Sequence, residues 1–196
     1  MEQYNLILAS GSPRRRELLE RVGLSFTVHP ADVDETLVPG LTAQEQVMRL
    51  SQIKAEAVAK ELTGDGVILS ADTVVVLDGT ILGKPKNSAD AERMLRALSG
   101  RGHLVLTGIT VRRGPEIETR CEETEVHIRP LSQREIQTYV ATGEPLDKAG
   151  AYGIQGYASL FVEKLVGDYY NVMGLPLCTA GLMLRAAGIP VLEAKA

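Results

Sequence analysis

Residues 8–16 are Leu8-Ala9-Ser10-Gly11-Ser12-Pro13-Arg14-Arg15-Arg16. Leu8 and Ala9 complete an apolar run, Tyr4 to Ala9, that is typical of a buried strand. Ser12 occupies the position of a helix N-cap, and Pro13 occupies that of the first helical residue. The stretch therefore predicts a strand, a glycine turn and a helix. Such a turn presents backbone N–H groups and the positive end of the helix dipole to an anion.

Three consecutive arginines, Arg14 to Arg16, stand in the first turn of that helix. Cations at this end oppose the helix dipole, at a cost of roughly 0.3–1 kcal/mol each. Residues that conflict with the preferences of their local structure are found mostly at functional sites. One interpretation is a solvated basic helix start, and the other is a binding site for an anion such as a polyphosphate. Three cations in a row favour the second interpretation.

The composition narrows the classes of partner. The chain has 196 residues, a net charge of -4, no tryptophan and only 4% aromatic residues. An acidic chain argues against a duplex nucleic-acid binder, and scarce aromatics argue against a stacking platform for single strands. No apolar run reaches the length of a membrane span. The two cysteines, Cys121 and Cys178, lack metal-ligand spacing, and we expect free buried thiols in the reducing cytoplasm.

A second cation is predicted on the apolar face of a later helix. Thr42 and Glu45 form a capping-box pattern, so a helix is expected to begin there and run toward Gly64. Lys54 falls in the middle of the apolar face of this helix. A lysine in that position either extends its ammonium to solvent or meets an anion, and the sequence alone leaves both open.

An acid and a further lysine lie on a predicted hairpin. Asp78-Gly79 is a strong turn signal between two apolar strands. Asp72 interrupts the first strand, where a buried carboxylate is costly unless it is paired, hydrogen-bonded or metal-bound. One explanation is that Asp72 is a structural residue whose carboxylate accepts hydrogen bonds from nearby backbone N–H groups. Because Lys84 leaves the partner strand of the same hairpin, a functional role is favoured.

The segment from Glu144 to Gly156 contains a run rich in glycine, Asp147-Lys148-Ala149-Gly150-Ala151-Tyr152-Gly153-Ile154-Gln155-Gly156. Three glycines in seven residues indicate close backbone approach or positive φ. A segment of this length without apolar periodicity is usually functional or disordered. Its polar residues are suited to contact the edge of a base. We find no internal repeat, linker or domain boundary, so a single domain over residues 1–196 is predicted.

Together these motifs resemble a known family. The chain is similar, from Leu8 to about Ala187, to the Maf-type nucleoside triphosphate pyrophosphatases, a branch of the inosine-triphosphate pyrophosphatase superfamily. The resemblance rests on five motifs, each weak alone and specific in combination. They are Ala9-Ser10-Gly11-Ser12-Pro13-Arg14-Arg15, Ala71-Asp72-Thr73, Gly83-Lys84-Pro85, Asp147 to Gly156, and Val172-Met173-Gly174-Leu175-Pro176.

The resemblance implies a two-lobed α/β fold, in which helices flank an elongated, twisted mixed sheet and the site lies in a central cleft. It implies hydrolysis of a nucleoside triphosphate to the monophosphate and diphosphate with a divalent cation, Mg²⁺ or Mn²⁺. The form of the glycine-rich segment resembles the branch that acts on dTTP and UTP, and modified pyrimidine triphosphates are also open as targets.

The family's functional residues map onto nine positions of this sequence. The implied proton acceptor is Asp72, the implied phosphate contacts are Ser10, Arg15, Lys54 and Lys84, the implied specificity residues are Arg14, Thr73 and Gln155, and the implied acidic metal ligand is Glu35. Arg16 is not part of the usual motif, and no role is assigned to it.

Two other functions remain open at this level. One is a nucleotidyltransferase, because such enzymes also open with a strand, a glycine turn and an arginine. The other is a regulator of cell division that senses nucleotides without relevant turnover. The expected partners are the nucleoside triphosphate and, as one option for the oligomeric state, a second copy in a homodimer. No nucleic-acid or membrane partner is expected, and cytoplasmic localisation is predicted.

Overall fold

The computed structural model describes residues 5–62, 64 and 66–192. Strands and helices alternate along most of the chain. The strands are β1 (Leu6–Leu8), β2 (Thr27–Val28), β3 (Val67–Leu77), β4 (Thr80–Leu82), β5 (Gly102–Arg113), β6 (Glu116–Ile128) and β7 (Val162–Val166). The helices are α1 (Pro13–Arg21), α2 (Ala43–Glu61), α3 (Ser88–Leu98), α4 (Gln133–Ala141), α5 (Tyr169–Met173) and α6 (Leu177–Ala186).

The strands form one mixed sheet in the order β2-β1-β3-β5-β6-β7, with β4 paired to β3. Strand β1 runs parallel to both β2 and β3, with Ile7 opposite Ile68. The pairs β3–β4 and β6–β7 are antiparallel. The predicted α/β class, with helices flanking a mixed sheet, is confirmed.

The chain divides into two compact units. The first unit comprises the described residues of Met1–Asp72, Thr107–Glu122 and Gly174–Ala196. The second comprises Thr73–Leu106 and Glu123–Met173. In the first unit, helix α2 packs on β1 and β3 through an apolar cluster of Ile7, Ala9, Ala55, Val58 and Ile68.

Local sequence signals correctly predicted the start of helix α2 and the turn between β3 and β4. Thr42 caps α2 in a complete capping box with Glu45, and Ser132 caps α4 in the same way with Glu135. The turn between β3 and β4 places Asp78 at φ 49° and Gly79 at φ 75°, as the hairpin signal required. Within the described ranges, no helix is both long and apolar enough to cross a membrane.

The predicted start of α1 is confirmed, because Ser12 is its N-cap residue and Pro13 its first helical residue, although the Ser12 side chain makes no capping hydrogen bond. Two other features were not predicted correctly. The short helix α5 was missed, since five residues are too few to show a helical period. The cysteines are free, but Cys178 is exposed on α6 and Cys121 is only partly buried.

Candidate active site

The turn after β1 holds a buried arginine. Arg15 donates from Nε to the Gly174 carbonyl at 2.7 Å and from a terminal nitrogen to Ser10 Oγ at 3.0 Å. Burial lowers the pKa of the Arg15 guanidinium, whereas the negative charges of Asp72 and Glu35 oppose this shift. An arginine side chain keeps its proton in proteins, so the turn carries a fixed positive charge.

The three arginines of α1 have different surroundings. Arg16 is exposed and donates to Glu20 at 2.7 Å, one turn further along the helix. Arg14 is half-buried, and its charge lowers the pKa of neighbouring Arg15. The first turn of α1 contains no acidic residue. Two like charges therefore meet at the positive end of a helix, where a bound anion would lower the repulsion.

Lys54 meets two carboxylates in the first unit. Its Nζ lies 2.7 Å from Asp72 Oδ1 and 2.7 Å from Glu35 Oε1. The Lys54 side chain is 9% exposed, Asp72 is 13% exposed and Glu35 is 60% exposed. Of the two options that the sequence left open for Lys54, the structure shows contact with anions.

Buried hydroxyl groups fix α2 against the sheet beside this lysine. Ser70 Oγ on β3 donates to the Ser51 carbonyl at 2.6 Å. Ser51 Oγ, in turn, lies 2.9 Å from Thr110 Oγ1 on β5. Ser51 is three residues before Lys54, and Ser70 is two residues before Asp72 on the same strand. The hydroxyls therefore set the position from which Lys54 reaches Asp72.

Gly108 on β5 allows the same helix to approach closely. A Cβ at this position would lie 2.2 Å from the Val47 carbonyl oxygen and 2.7 Å from the Met48 nitrogen. Both atoms are backbone atoms of α2, so a side-chain rotation could not relieve the contact. The placement of the Lys54 helix thus depends on a glycine in the neighbouring strand.

The other predicted site residues belong to the second unit. Thr73 follows Asp72 on β3 and is half-buried, whereas Lys84 and Gln155 are exposed. The Gly150 N–H donates to the Gly83 carbonyl at 3.1 Å, next to Lys84. Gly150 also packs against Val75 with φ 68°, so a side chain there would be both strained and crowded. The structure therefore joins the segment before Lys84 to the glycine-rich segment.

The glycine-rich segment is folded into short 3₁₀ turns, Glu144–Asp147 and Ala149–Ala151. Residues 151–154 are buried, and Gln155 is exposed. Tyr152 stacks edge-on against His103 with ring centroids 5.3 Å apart, and its hydroxyl lies 2.7 Å from His103 Nε2. Burial lowers the pKa of His103 to about 4, so the imidazole is neutral near pH 7.

A comparison with protein-family models matches residues 5–187 to the model described as Maf-like protein. The chain belongs to the Maf family. The match spans both units, and it includes each of the nine residues mapped from the sequence motifs.

Curated Maf relatives are similar over nearly their whole length. A protein of Symbiobacterium thermophilum named dTTP/UTP pyrophosphatase is 53% identical over 186 residues, with 95% of each chain covered. One of Halalkalibacterium halodurans with the same name is 50% identical, with 93% of this chain and 96% of the relative covered. Among solved structures, the Ham1 protein of Staphylococcus aureus has a TM-score of 0.53 at 18% identity, covering 93% of this chain and 98% of its own. At that identity, the likeness to Ham1 concerns the fold alone.

Sequence reasoning missed several residues that organise the site in this Maf protein. The Gly174 carbonyl accepts from Arg15, although Gly174 was only part of a quoted motif. Tyr139 and Glu144 contact the glycine-rich segment, yet a tyrosine on an apolar helix face and a glutamate before a proline are ordinary features. The contact of His103 with Tyr152 gives no signal in the sequence, because it joins residues 49 positions apart.

Proposed function

We propose that this protein hydrolyses dTTP and UTP to the nucleoside monophosphate and diphosphate. The observation that carries the proposal is the convergence of Asp72 and Glu35 on the ammonium of Lys54, in a member of a family whose similar relatives are named dTTP/UTP pyrophosphatase. This reaction needs two kinds of group. Cations neutralise the charge of the triphosphate, and a carboxylate acts on the attacking water.

Each predicted residue has a role in this proposal. Asp72 orients the attacking water or removes its proton, and Lys54 fixes the carboxylate of Asp72 through their 2.7 Å contact. Ser10, Arg15, Lys54 and Lys84 hold the phosphates. Arg14, Thr73 and Gln155 select the nucleoside. Holding the triphosphate in one orientation lowers the entropy cost of the reaction.

A divalent cation fits the donor set. Asp72 and Glu35 present carboxylate oxygens to one ammonium, and carboxylates are ligands that Mg²⁺ and Mn²⁺ prefer. In the part of the chain that the structure describes, no group of three or more His, Cys, Asp or Glu residues is arranged to hold a metal. Asp72 and Glu35 would thus supply two ligands, and substrate oxygens would supply others. When bound, the cation supplies Lewis-acid stabilisation of charge on the phosphates.

The cationic residues should act on the triphosphate rather than the base. Replacing Arg15, Lys54 or Lys84 with alanine is expected to lower kcat/KM for UTP, dTTP and CTP by similar factors, about 10- to 100-fold. The controls are Arg16→Ala and Lys86→Ala, which change neighbouring exposed cations and should stay within about twofold of wild type. A loss confined to one base would refute the assignment of these residues.

Gln155 should set the preference for the base. A pyrimidine with a 4-keto group and N3–H presents an acceptor and a donor, which an amide can match, whereas cytosine presents the reverse. Since an amide can flip, fixed backbone groups of residues 150–156 must add to the discrimination. We expect UTP and dTTP to be preferred over CTP and the purine triphosphates, with little dependence on the 2′ position. Gln155→Ala should reduce this preference more than it reduces the best rate.

A panel of nucleoside triphosphates with Mg²⁺ or Mn²⁺ tests both the function and the preference. Purified wild type, Gln155→Ala and the control Gln137→Ala are compared by release of diphosphate and monophosphate. Equal turnover of CTP or GTP by wild type, or an unchanged ranking in Gln155→Ala, would contradict the proposed base recognition. A requirement for a second substrate would indicate a nucleotidyltransferase, and binding without turnover would indicate a sensor. Homodimerisation, cytoplasmic localisation and the absence of nucleic-acid or membrane partners stay predictions.

A further inference from the structure

Two side chains of the second unit form a pair next to the turn that carries Gln155. The Tyr139 hydroxyl on α4 donates to Glu144 Oε1 at 2.9 Å. The Tyr139 ring is buried and packs edge-on against Phe161, with ring centroids 5.2 Å apart. This packing fixes the phenol, so the position of the Glu144 carboxylate is set by a rigid neighbour.

The pair holds both ends of the turn. The Gly153 N–H donates to the Tyr139 hydroxyl at 3.2 Å, and the Tyr157 N–H donates to Glu144 Oε2 at 3.0 Å. Between them, the Gly156 N–H donates to the Gly153 carbonyl at 3.0 Å and closes a tight turn. Gln155 lies within this turn and is exposed, between two anchored backbone positions.

The glycines of the turn leave room for the side chains of Glu144 and Lys148. A Cβ on Gly156 would lie 2.3 Å from Glu144 Oε2, and one on Gly153 would lie 2.6 Å from Lys148 Cε. Lys148 donates from Nζ to the Glu144 carbonyl at 2.7 Å. Backbone and carboxylate therefore approach more closely than a larger residue would allow.

The hydrogen-bond directions around the pair agree with one another. The carboxylate oxygens of Glu144 accept one hydrogen bond from an O–H group and one from an N–H group. Burial and the bond to Glu144 raise the pKa of Tyr139, so its phenol stays protonated and donates. Its oxygen then accepts from Gly153, which completes the chain of contacts.

We propose that Tyr139 and Glu144 are positioning residues for base discrimination, which they provide by fixing the turn that presents Gln155. This inference rests on the proposed function, in which Gln155 contacts the base. An amide on a mobile turn could match either pyrimidine pattern, because it could rotate and shift to suit each edge. A turn anchored at Gly153 and Tyr157 restricts that freedom and so penalises the wrong base.

Glu144→Gln is the sharpest test, because it keeps the size of the side chain and replaces one acceptor oxygen with a donor. We expect the ratio of kcat/KM for UTP to that for CTP to fall about 10-fold, mainly through a higher KM for UTP. The kcat for UTP should stay within about threefold, and inhibition by inorganic triphosphate within about twofold, since neither depends on the base. Tyr139→Phe should change the ratio in the same direction. The matched control is Glu163→Gln, an exposed acid on β7.

Hydrogen–deuterium exchange of residues 150–158 gives a readout that does not need turnover. Faster exchange in Glu144→Gln than in wild type and Glu163→Gln, together with the smaller UTP/CTP ratio, supports the proposal. The proposal would be overturned if Glu144→Gln left the UTP/CTP ratio of kcat/KM unchanged, whether or not kcat fell for every base. Unchanged hydrogen–deuterium exchange of residues 150–158 would also overturn it. Failure of wild type to hydrolyse UTP would refute the proposed function itself, and this inference with it.

Discussion

Asp72→Asn is expected to lower kcat for UTP by about 10³-fold, because a positioned general base contributes roughly 10²–10⁴-fold. Asparagine keeps the shape of the side chain and one oxygen that can accept from Lys54, which lies 2.7 Å from Asp72 Oδ1. The fold and the nucleotide affinity should therefore be retained. Thermal unfolding should show a folded protein, and calorimetry with a non-hydrolysable α,β-imido UTP should give a dissociation constant within about fivefold of wild type.

The control for this variant is Asp32→Asn, which removes an exposed carboxylate from the acidic segment before Glu35. It should leave kcat within about twofold, as expected for a surface substitution. If folded Asp72→Asn turned over UTP at a near-normal rate, Asp72 would have no part in the mechanism. If only Asp32→Asn lost activity, the general base would have to be assigned to a residue of the acidic segment instead of Asp72.

Gly108→Ala is expected to have the second largest effect, through the position of helix α2. The new Cβ would lie 2.2 Å from the Val47 carbonyl oxygen, so the helix must move away from β5. We expect a loss of about 3 kcal/mol in the free energy of unfolding, at the upper end of overpacking costs. For a chain of this size that corresponds to a fall in Tm of about 6–12 °C. Because Lys54 is carried by the same helix, kcat/KM should fall about 10²-fold.

Gly181→Ala is the matched control, because this glycine lies inside α6 with ordinary space around it. The nearest atom to an added Cβ, Val191 Cγ1, is 3.7 Å away. Alanine favours helix over glycine, so the variant should be as stable as wild type or more stable, by up to about 1 kcal/mol. A Gly108→Ala protein with normal Tm and activity would show that the close approach of α2 is not needed.

Prediction from the sequence worked best where the signal was local. The capping box at Thr42 and the Asp78-Gly79 turn depend on neighbouring residues, and the structure shows both. The α/β class followed from the family resemblance. The short helix α5 was missed because it has no period to detect.

The candidate site was harder to predict, because its contacts join distant parts of the chain. Lys54 could be recognised as an anomaly on an apolar face, but its contacts with Asp72 and Glu35 require packing of α2 on the sheet. The Gly174 carbonyl lies 159 positions from Arg15 in sequence. Tyr139 and Glu144 give no signal at all, since each is an ordinary residue until the turn at Gln155 folds over them.

The products of UTP turnover test the central claim most directly. Wild-type protein is incubated with UTP and Mg²⁺, and the phosphorus-31 spectrum is followed through complete conversion. We predict UMP and diphosphate in equal amounts, with no UDP and no orthophosphate, and no appearance of these products with Asp72→Asn over the same time. Formation of UDP and orthophosphate, or no conversion of UTP by folded wild-type protein, would contradict the account.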